Sequence, residues 1–229
     1  MKNVLIIGGS TDIGLSLANL LNNNGYNTFV TYNKNKPNYD NCFKCDVRNK
    51  ECIEELFNIL IKKYKKIDIL INMAAISLDN DFFNKTKEEF MSVLEVNLVG
   101  SFLTSQVYSK YISDGVIINI ASTDGLDTFS KYNIDYAASK AGLITLSKSL
   151  ALCTDNKVLC IAPNWIDSKT TRDMDKDYLD SELKRIGQTR LITIDELNKS
   201  IYKIINMDTS SGDVFRIDIK GEELWIEKI

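Results

Sequence analysis

The sequence predicts an α/β fold: a doubly wound, seven-stranded parallel sheet flanked by helices. Three observations lead to this prediction. Short apolar runs typical of buried strands alternate with stretches of helical periodicity along the chain. A glycine-rich turn, Gly8 to Gly14, directly follows the first apolar run. Polar residues end several of the runs, and in a parallel sheet such ends meet at one edge.

The predicted strands lie near residues 3–8, 27–32, 42–46, 68–72, 115–121, 157–162 and 213–218. Between them, residues 53–64 follow the period of a helix packed on a sheet. Thr86 with Glu89 and Thr193 with Glu196 fit capping boxes, which predict helix starts. Only about nine residues separate the second strand from the third, so this connection is predicted to lack a helix.

Length and composition restrict the class of protein. The 229 residues suffice for one domain, predicted to span residues 1–229 without an interdomain linker. A net charge of −3 gives no reason to expect binding to nucleic acid or to an anionic membrane. No apolar run is expected to span a membrane, and Val4 to Ile7 is too short for a secretory signal. We therefore expect a cytoplasmic protein.

The absence of histidine restricts the chemistry further. It excludes a Ser-His hydrolase and a histidine-ligated metal site. Cys42 and Cys45 form a Cys-x-x-Cys, but in a strand residues three apart point to opposite faces. No second pair completes a four-cysteine zinc site. We interpret both as ordinary strand cysteines and expect no metal.

Tyr136, Lys140 and Ser122 form the most informative group in the chain. Tyr136 and Lys140 lie four residues apart in a helical pattern, so they share a helix face. A cation about 4 Å from the phenol is worth roughly 4 kcal/mol at an effective dielectric of about 20. That would lower a phenol pKa of about 10 by up to roughly three units, which suits proton exchange near neutral pH. A second Tyr-x-x-x-Lys, Tyr32 to Lys36, runs into Pro37 and is interpreted as a loop.

The glycine-rich turn predicts an anion site. It joins an apolar strand to an amphipathic helix, and backbone N–H groups at a helix N-terminus point outward with a dipole that favours negative charge. This strand–turn–helix context is the one that a dinucleotide-binding turn requires.

Together these features resemble the short-chain dehydrogenase/reductase family, whose members have a single-domain Rossmann fold. The family's Thr-Gly-x-x-x-Gly-x-Gly is matched by residues 7–14, and its Asn-Asn-Ala-Gly by Asn72 to Ala75. Other family segments are matched in order by Cys45-Asp46-Val47, Asn97, Ser122 with Tyr136 and Lys140, Ala162 to Ser168, Arg190-Leu191 and Gly212 to Asp218.

The resemblance implies an oxidoreductase that moves a hydride between a nicotinamide cofactor and a carbonyl or alcohol. Tyr136 would be the general acid/base, and Lys140 would lower its pKa and hold the ribose. Ser122 would place the substrate oxygen, and Asn97 would anchor a proton-relay water. The implied cofactor contacts are Gly8, Ser10, Thr11, Asp12, Ile13, Gly14, Tyr32, Asn33, Lys34, Asp46, Val47, Asn72, Ala74, Tyr136, Lys140, Pro163, Ile166 and Ser168.

Within the family the chain looks most like the 3-oxoacyl-[acyl-carrier-protein] reductases, which makes a 3-oxoacyl thioester one candidate substrate. General ketone reductases share the same pattern. A pteridine or enoyl reductase relative is an alternative, and so is a cofactor-binding regulator without turnover, although all four catalytic residues are present. Residues 169–188 match the family's substrate lid. The small residues Ala137, Ala138, Ala141 and Gly142 lie on a helix that relatives pair across a dimer interface, so a homodimer or homotetramer is expected.

Four residues depart from the family pattern near the implied cofactor. Asp12 replaces the middle glycine, and we expect it to act as a helix N-cap. Met73 and Ala75 replace an asparagine and a glycine. Asn164 replaces a glycine, and asparagine tolerates a left-handed backbone better than most residues. None of these changes removes a chemical group that the reaction needs.

The end of the second strand bears on cofactor preference. NAD-specific relatives carry an acidic residue there, which we align with Thr31. No carboxylate appears before Asp40, whereas Asn33 and Lys34 can donate to a phosphate. NADP is therefore the expected cofactor, with NAD as the alternative.

Overall fold

The computed structural model describes residues 1–229. Its strands are β1 (Asn3–Ile7), β2 (Asn27–Tyr32), β3 (Cys42–Lys44), β4 (Ile69–Asn72), β5 (Val116–Ile120), β6 (Lys157–Pro163), β7 (Val214–Lys220) and β8 (Glu223–Lys228). Its α-helices are α1 (Asp12–Asn23), α2 (Lys50–Tyr64), α3 (Lys87–Leu94), α4 (Gly100–Tyr111), α5 (Ile134–Cys153), α6 (Lys169–Arg172), α7 (Lys176–Ile186) and α8 (Ile194–Asn206).

All eight strands form one sheet in the order β3-β2-β1-β4-β5-β6-β7-β8. The first seven are parallel to their neighbours, which confirms the predicted doubly wound fold. The chain passes from β2 to β3 without a helix, as the short connection predicts. Both capping boxes, at Thr86 and Thr193, are present.

β8 was not predicted from the sequence. It pairs antiparallel with β7 at the edge of the sheet, after a two-residue turn at Gly221 and Glu222. Gly221 has φ +63°, which suits a tight hairpin turn. Only Leu224 and Trp225–Ile226 lend the strand apolar character, and it lies largely exposed, so its hydrophobic signal is weak.

Helices cover both faces of the sheet because successive strand residues point to opposite sides. Val4 and Ile6 pack in one cluster with residues of α1 and α8. Leu5 and Ile7 pack in a second cluster on the other face, with residues of α2 and α4. The strands are thus buried on both sides, which explains why they read as continuous apolar runs.

A π-helical turn, Glu95–Val99, joins α3 to α4 and places Asn97 in the middle of a continuous helical stretch. This stretch, Lys87–Tyr111, is long and apolar enough by length and composition to cross a membrane. It belongs to the core, however, because Val93, Val107 and Tyr108 are fully buried within the domain.

The carboxyl ends of the parallel strands bring the sequence motifs to one edge. Gly8 follows β1, Asn72 ends β4, Ser122 follows β5 and Pro163 ends β6. β3 ends at Lys44, so Cys45 lies just beyond it, and both Cys42 and Cys45 are free.

Candidate active site

The glycine turn between β1 and α1 is held by close packing. Gly8 has φ +76°, and a Cβ there would lie 2.5 Å from Ala74 Cα. A Cβ on Gly14 would lie 2.5 Å from Gly9 Cα. Both positions therefore require glycine, and the turn presses against Ala74, the residue after Met73 in the second motif.

The helix start differs from the expectation at Asp12. The N-cap of α1 is Thr11, whose hydroxyl accepts a hydrogen bond from Gly14 N at 3.2 Å, and Asp12 is the first helical residue. The predicted N-cap role of Asp12 is therefore wrong. Its Oδ2 instead accepts from Lys169 N at 2.7 Å and lies 3.6 Å from Arg172 Nη2. The Asp12 carboxylate therefore binds the segment that follows β6.

Unpaired backbone donors make the turn suitable for a diphosphate. The amides of Ser10, Thr11 and Asp12 donate to no group of the protein, whereas Ile13 N is bound by Asp12 Oδ1 and Gly14 N by Thr11. Three free amides at a helix N-terminus are a favourable site for an anion. The residues present therefore fit the dinucleotide that the motif implies.

Thr31 does not face the position that we assigned to it. It is 1% exposed, and its hydroxyl accepts a hydrogen bond from Gly8 N at 2.9 Å. The alignment of Thr31 with the acidic position is therefore wrong, because this side chain supports the glycine turn. The first accessible positions at the end of β2 are Tyr32, Asn33 and Lys34, and none of them is acidic.

Asp46 and Val47 follow β3 at the same edge. Asp46 forms an ion pair with Arg48 at 2.6 Å, and the hydrogen bonds from Arg48 lower the pKa of its carboxyl. Val47 is buried against Gly100, where a Cβ would lie 2.6 Å from Val47 Cγ2. Arg48 is not singled out by any sequence motif.

The Asn72 side chain forms its hydrogen bonds with other groups of the protein interior. It donates to Asn119 Oδ1 at 2.8 Å and to Ser105 Oγ at 3.1 Å, and accepts from Thr104 Oγ1 at 2.7 Å. Asn72 is buried, so these bonds satisfy its polar atoms and join β4 to β5 and α4. No sequence motif marks Thr104 or Asn119 for this role.

Asn97 joins the segment after β4 to α5. Its Oδ1 accepts from Ile76 N at 2.8 Å, and its Nδ2 donates to Ile76 O at 3.0 Å and to Ser139 Oγ at 3.0 Å. The π turn, a feature often found at functional sites, places this side chain between the two elements.

Tyr136 and Lys140 lie on one face of α5, close to Ser122. Lys140 Nζ donates to Ile120 O at 2.8 Å and lies 5.3 Å from the centre of the Tyr136 ring. Burial lowers the pKa of Lys140 to about 8. The structure thus brings together the three residues that the sequence singled out.

The pKa of Tyr136 moves in the direction opposite to the expectation. Burial of the phenol raises it, the nearby Asp124 carboxylate raises it further, and the Ser122 hydroxyl partly offsets the rise. The expected lowering by Lys140 is wrong for this arrangement, because the ammonium is bound to Ile120 O beside the ring and is itself destabilised by burial. Tyr136 therefore keeps its proton at neutral pH.

Asp124 is a site residue that the sequence reasoning missed. It is buried, its Oδ1 accepts from Thr128 Oγ1 at 2.9 Å, and its amide donates to Ser122 Oγ at 3.1 Å. Burial raises the pKa of its carboxyl. Its place two residues after Ser122 was the available signal, but a carboxylate after a strand is common on exposed turns.

Asn164 does not use a left-handed backbone, since Lys65 is the only residue other than glycine with positive φ. Its side chain accepts from Thr123 Oγ1 at 3.0 Å and donates to Asp218 Oδ1 at 2.9 Å. The asparagine thus links the loop after β5 to β7. The tolerance of asparagine for a left-handed backbone is therefore not used at this position.

The segment that follows β6 passes next to the glycine turn, where Lys169 N binds Asp12. Pro163 ends β6, Ile166 forms a bridge with Ile192, and Ser168 caps α6 by accepting from Thr171 N. In α7, Arg185 Nη2 donates to Thr128 O at 3.0 Å. Residues 169–188 are therefore docked on the site at both ends.

Comparison with known proteins identifies the family. A family model described as short chain dehydrogenase matches residues 2–179. The chain belongs to the short-chain dehydrogenase/reductase family. Curated relatives include the 3-oxoacyl-[acyl-carrier-protein] reductase MabA of Mycobacterium tuberculosis, 29% identical over 226 residues, which cover 95% of this chain and 91% of the relative. The 3-oxoacyl-[acyl-carrier-protein] reductase of Homo sapiens is 29% identical over 205 residues, which cover 82% of this chain and 86% of the relative.

Solved structures agree with this membership. A short-chain dehydrogenase from Leptospira borgpetersenii with bound NAD+ superposes with a TM-score of 0.85 at 28% identity, covering 95% of this chain and 91% of that one. A short-chain dehydrogenase from Bacillus anthracis gives a TM-score of 0.83 at 27% identity, covering 95% of both chains. As a member of the short-chain dehydrogenase/reductase family, the chain is an NAD(P)-dependent oxidoreductase.

Proposed function

We propose that the protein reduces a ketone to a secondary alcohol with NADPH, and that a 3-oxoacyl thioester is the first substrate to test. The observation that carries this proposal is the half-buried, protonated Tyr136 between Ser122 and Lys140 at the carboxyl edge of the sheet. A phenol that keeps its proton is suited to donate it to a carbonyl oxygen. The substrate class is supported by the names of the curated relatives.

Different residues of the chain would bind the cofactor, place the substrate and transfer the proton. The free amides of Ser10, Thr11 and Asp12 would hold the diphosphate, and Lys140 would hold the nicotinamide ribose. A dinucleotide bound in this crevice would supply the hydride. Ser122 places the substrate oxygen, Tyr136 gives it a proton, and Asn97 anchors the water that returns one. Ile13, Ala74, Pro163, Ile166 and Ser168 are the further cofactor contacts that the family resemblance implies.

The preference for NADPH rests on the end of β2. Tyr32, Asn33 and Lys34 provide no carboxylate to repel a 2′-phosphate, and Lys34 adds an exposed positive charge. Asp46 lies nearby, but Arg48 pairs with it and balances its charge. NAD is the alternative cofactor.

We further propose a single domain over residues 1–229 with residues 169–188 as the substrate lid, in a cytoplasmic homodimer or homotetramer. A shallow apolar groove of about 590 Å³ supports self-association. It is lined by Leu98, Val99, Phe102, Ala141, Gly142, Thr145, Leu146 and Ser149, and Val99 and Phe102 are exposed.

A substrate panel tests the activity. Loss of reduced nicotinamide absorbance should be followed with ketones and 3-oxoacyl thioesters, with a pterin and an enoyl thioester in the same panel. Turnover of ketones or 3-oxoacyl thioesters supports the proposal. Turnover of only the pterin or the enoyl compound assigns the protein to the alternative reductases. Tight cofactor binding without any turnover indicates a regulator.

A further inference from the structure

A buried ion pair lies directly beside Tyr136. Lys85 Nζ is 3.0 Å from Asp135 Oδ2, and the two side chains are 3% and 0% exposed. Lys85 comes from the connection between β4 and α3, and Asp135 from the first turn of α5. Asp135 Oδ2 accepts no hydrogen bond, so the ion pair with the Lys85 ammonium is what balances this buried charge.

The Asp135 carboxylate binds the backbone of Tyr136. Its Oδ1 accepts a hydrogen bond from Tyr136 N at 2.9 Å. The N-cap residue Asn133 makes no capping hydrogen bond, so Asp135 satisfies an amide that the helix start would otherwise leave free. A negative charge is also favoured at this end of a helix.

Lys85 connects this carboxylate to the segment after β4. Its ammonium also donates to Leu78 O, and Asn80 N in the same segment donates to Tyr132 O at 2.9 Å. The segment is therefore tied to the chain immediately before α5 as well as to α5 itself.

The contacts of Lys85 and Asp135 form one bridge between the segment after β4 and α5, and a second bridge of hydrogen bonds links the same two elements. Asn97 Nδ2 donates to Ile76 O and to Ser139 Oγ, and Ser139 Oγ donates to Tyr136 O at 2.7 Å. One bridge thus ends at the N–H of Tyr136 and the other at its carbonyl. Both begin in residues 76–78, close behind the Asn72–Ala75 motif at the edge of the crevice.

We propose that Lys85 and Asp135 are positioning residues, which couple residues 76–86 to the backbone of Tyr136 and so aim its phenol at the substrate oxygen. This inference rests on the proposed role of Tyr136 as proton donor. A misplacement of about 1 Å in an active site can lower the rate about 10²-fold. Loss of Lys85 leaves the Asp135 charge buried without a partner, which moves the carboxylate that binds Tyr136 N.

Lys85→Met is the first test, with Lys110→Met as the matched control, because Lys110 forms an exposed ion pair with Glu54. Lys85→Met should lower kcat about 10²-fold while the dissociation constant for NADPH is unchanged. Lys85→Arg, which keeps the cation, should restore most of the rate. Wild-type kcat in Lys85→Met would overturn the proposal.

The double variant Lys85→Met/Asp135→Leu separates positioning from stability. An apolar pair in place of a buried ion pair is often neutral for stability, so the melting temperature should recover. The rate should stay low, because leucine cannot accept the Tyr136 N–H. Recovery of both quantities would show that the pair is only structural. Should Lys85→Met fail to fold, the double variant serves as the test on its own, and wild-type kcat there would also overturn the proposal, because leucine cannot accept the Tyr136 N–H.

Amide hydrogen exchange provides a readout that needs no substrate. The Tyr136 amide should exchange faster in Lys85→Met than in Lys110→Met, because its acceptor is displaced. Unchanged exchange would reject the coupling even if wild-type protein reduces ketones. Faster exchange in a protein that turns over no carbonyl compound would keep the coupling and reject the proposed function.

Discussion

Asp12 and Lys169 lie 157 residues apart, and the Asp12 carboxylate accepts a hydrogen bond from the Lys169 amide at 2.7 Å. The same oxygen lies 3.6 Å from Arg172 Nη2. The residue that replaces a glycine in the glycine turn therefore fastens the start of residues 169–188, the proposed lid, to that turn. A carboxylate beside a diphosphate is unfavourable unless positive groups balance it, and here the lid supplies them.

Asp12→Ala should release residues 169–172. A hydrogen bond to a charged group contributes about 1.5–3 kcal/mol, so exchange of the Lys169 amide should be about tenfold faster or more. Trypsin should also cut sooner after Lys169 and Arg172. Asp12→Asn is the control, because its side-chain oxygen can still accept from Lys169 N. Equal protection in wild type and Asp12→Ala would show that the contact does not hold the lid in solution.

Tyr136→Phe should fold normally and still bind NADPH, yet lose about 10²–10⁴-fold in kcat, because it deletes the proton and keeps the ring. Steady-state kinetics with cofactor titration by fluorescence measures both quantities. Tyr132→Phe provides a matched change in the same region. Near-normal turnover in Tyr136→Phe would remove the basis for the proposed mechanism.

Asp124→Asn should move the basic limb of the pH–rate profile to lower pH. The Asp124 carboxylate raises the pKa of Tyr136, so an uncharged amide of the same size should let the phenol lose its proton at lower pH. The measurement is kcat/KM against pH, with Asp127→Asn as an exposed control. A limb that stays in place would show that the Asp124 charge does not act on Tyr136.

Lys140→Met should change how stability depends on pH. Burial lowers the pKa of Lys140 from 10.5 to about 8, so the unfolded chain binds more protons than the folded chain between these values. The free energy of unfolding of the wild type should therefore rise relative to the variant as the pH increases through this window, by at most about 3 kcal/mol.

Urea denaturation at several pH values tests this, with Lys148→Met on the exposed face of α5 as control. Below about pH 8 the buried ammonium destabilises the wild type in full, and above 10.5 the amine is neutral in both states. Parallel pH curves for wild type and Lys140→Met would mean that Lys140 titrates normally.

Tyr32→Asp should shift the cofactor preference toward NADH, because a carboxylate at the accessible end of β2 repels a 2′-phosphate. Thr31→Asp is the contrasting variant. It should lower stability instead, since Thr31 is buried and its hydroxyl binds Gly8 N. Dissociation constants for NADPH and NADH, measured by fluorescence, decide between these outcomes. A wild-type protein that binds NADH more tightly than NADPH would contradict the assignment.

Local patterns predicted most of the fold. The seven parallel strands, the two capping boxes and the helix-free connection after β2 follow from residues that are neighbours in sequence, where periodicity and capping chemistry act directly. β8 was not predicted from the sequence, because it is an exposed edge strand with few apolar residues. The edge of the sheet where Gly8, Ser122 and Pro163 meet also followed from sequence, because parallel strands end on the same side.

By itself, then, the sequence determined the element order, the family resemblance and the group of Ser122, Tyr136 and Lys140. Only the tertiary structure showed which partners individual side chains contact and in which direction their pKa values shift. Thr31 turns inward to Gly8, Asp12 reaches across to Lys169, and burial overrides Lys140 in setting the pKa of Tyr136. The physical reason is that hydrogen bonding, ion pairing and desolvation depend on groups that are near in space, and periodicity along the chain does not report which distant residues those are.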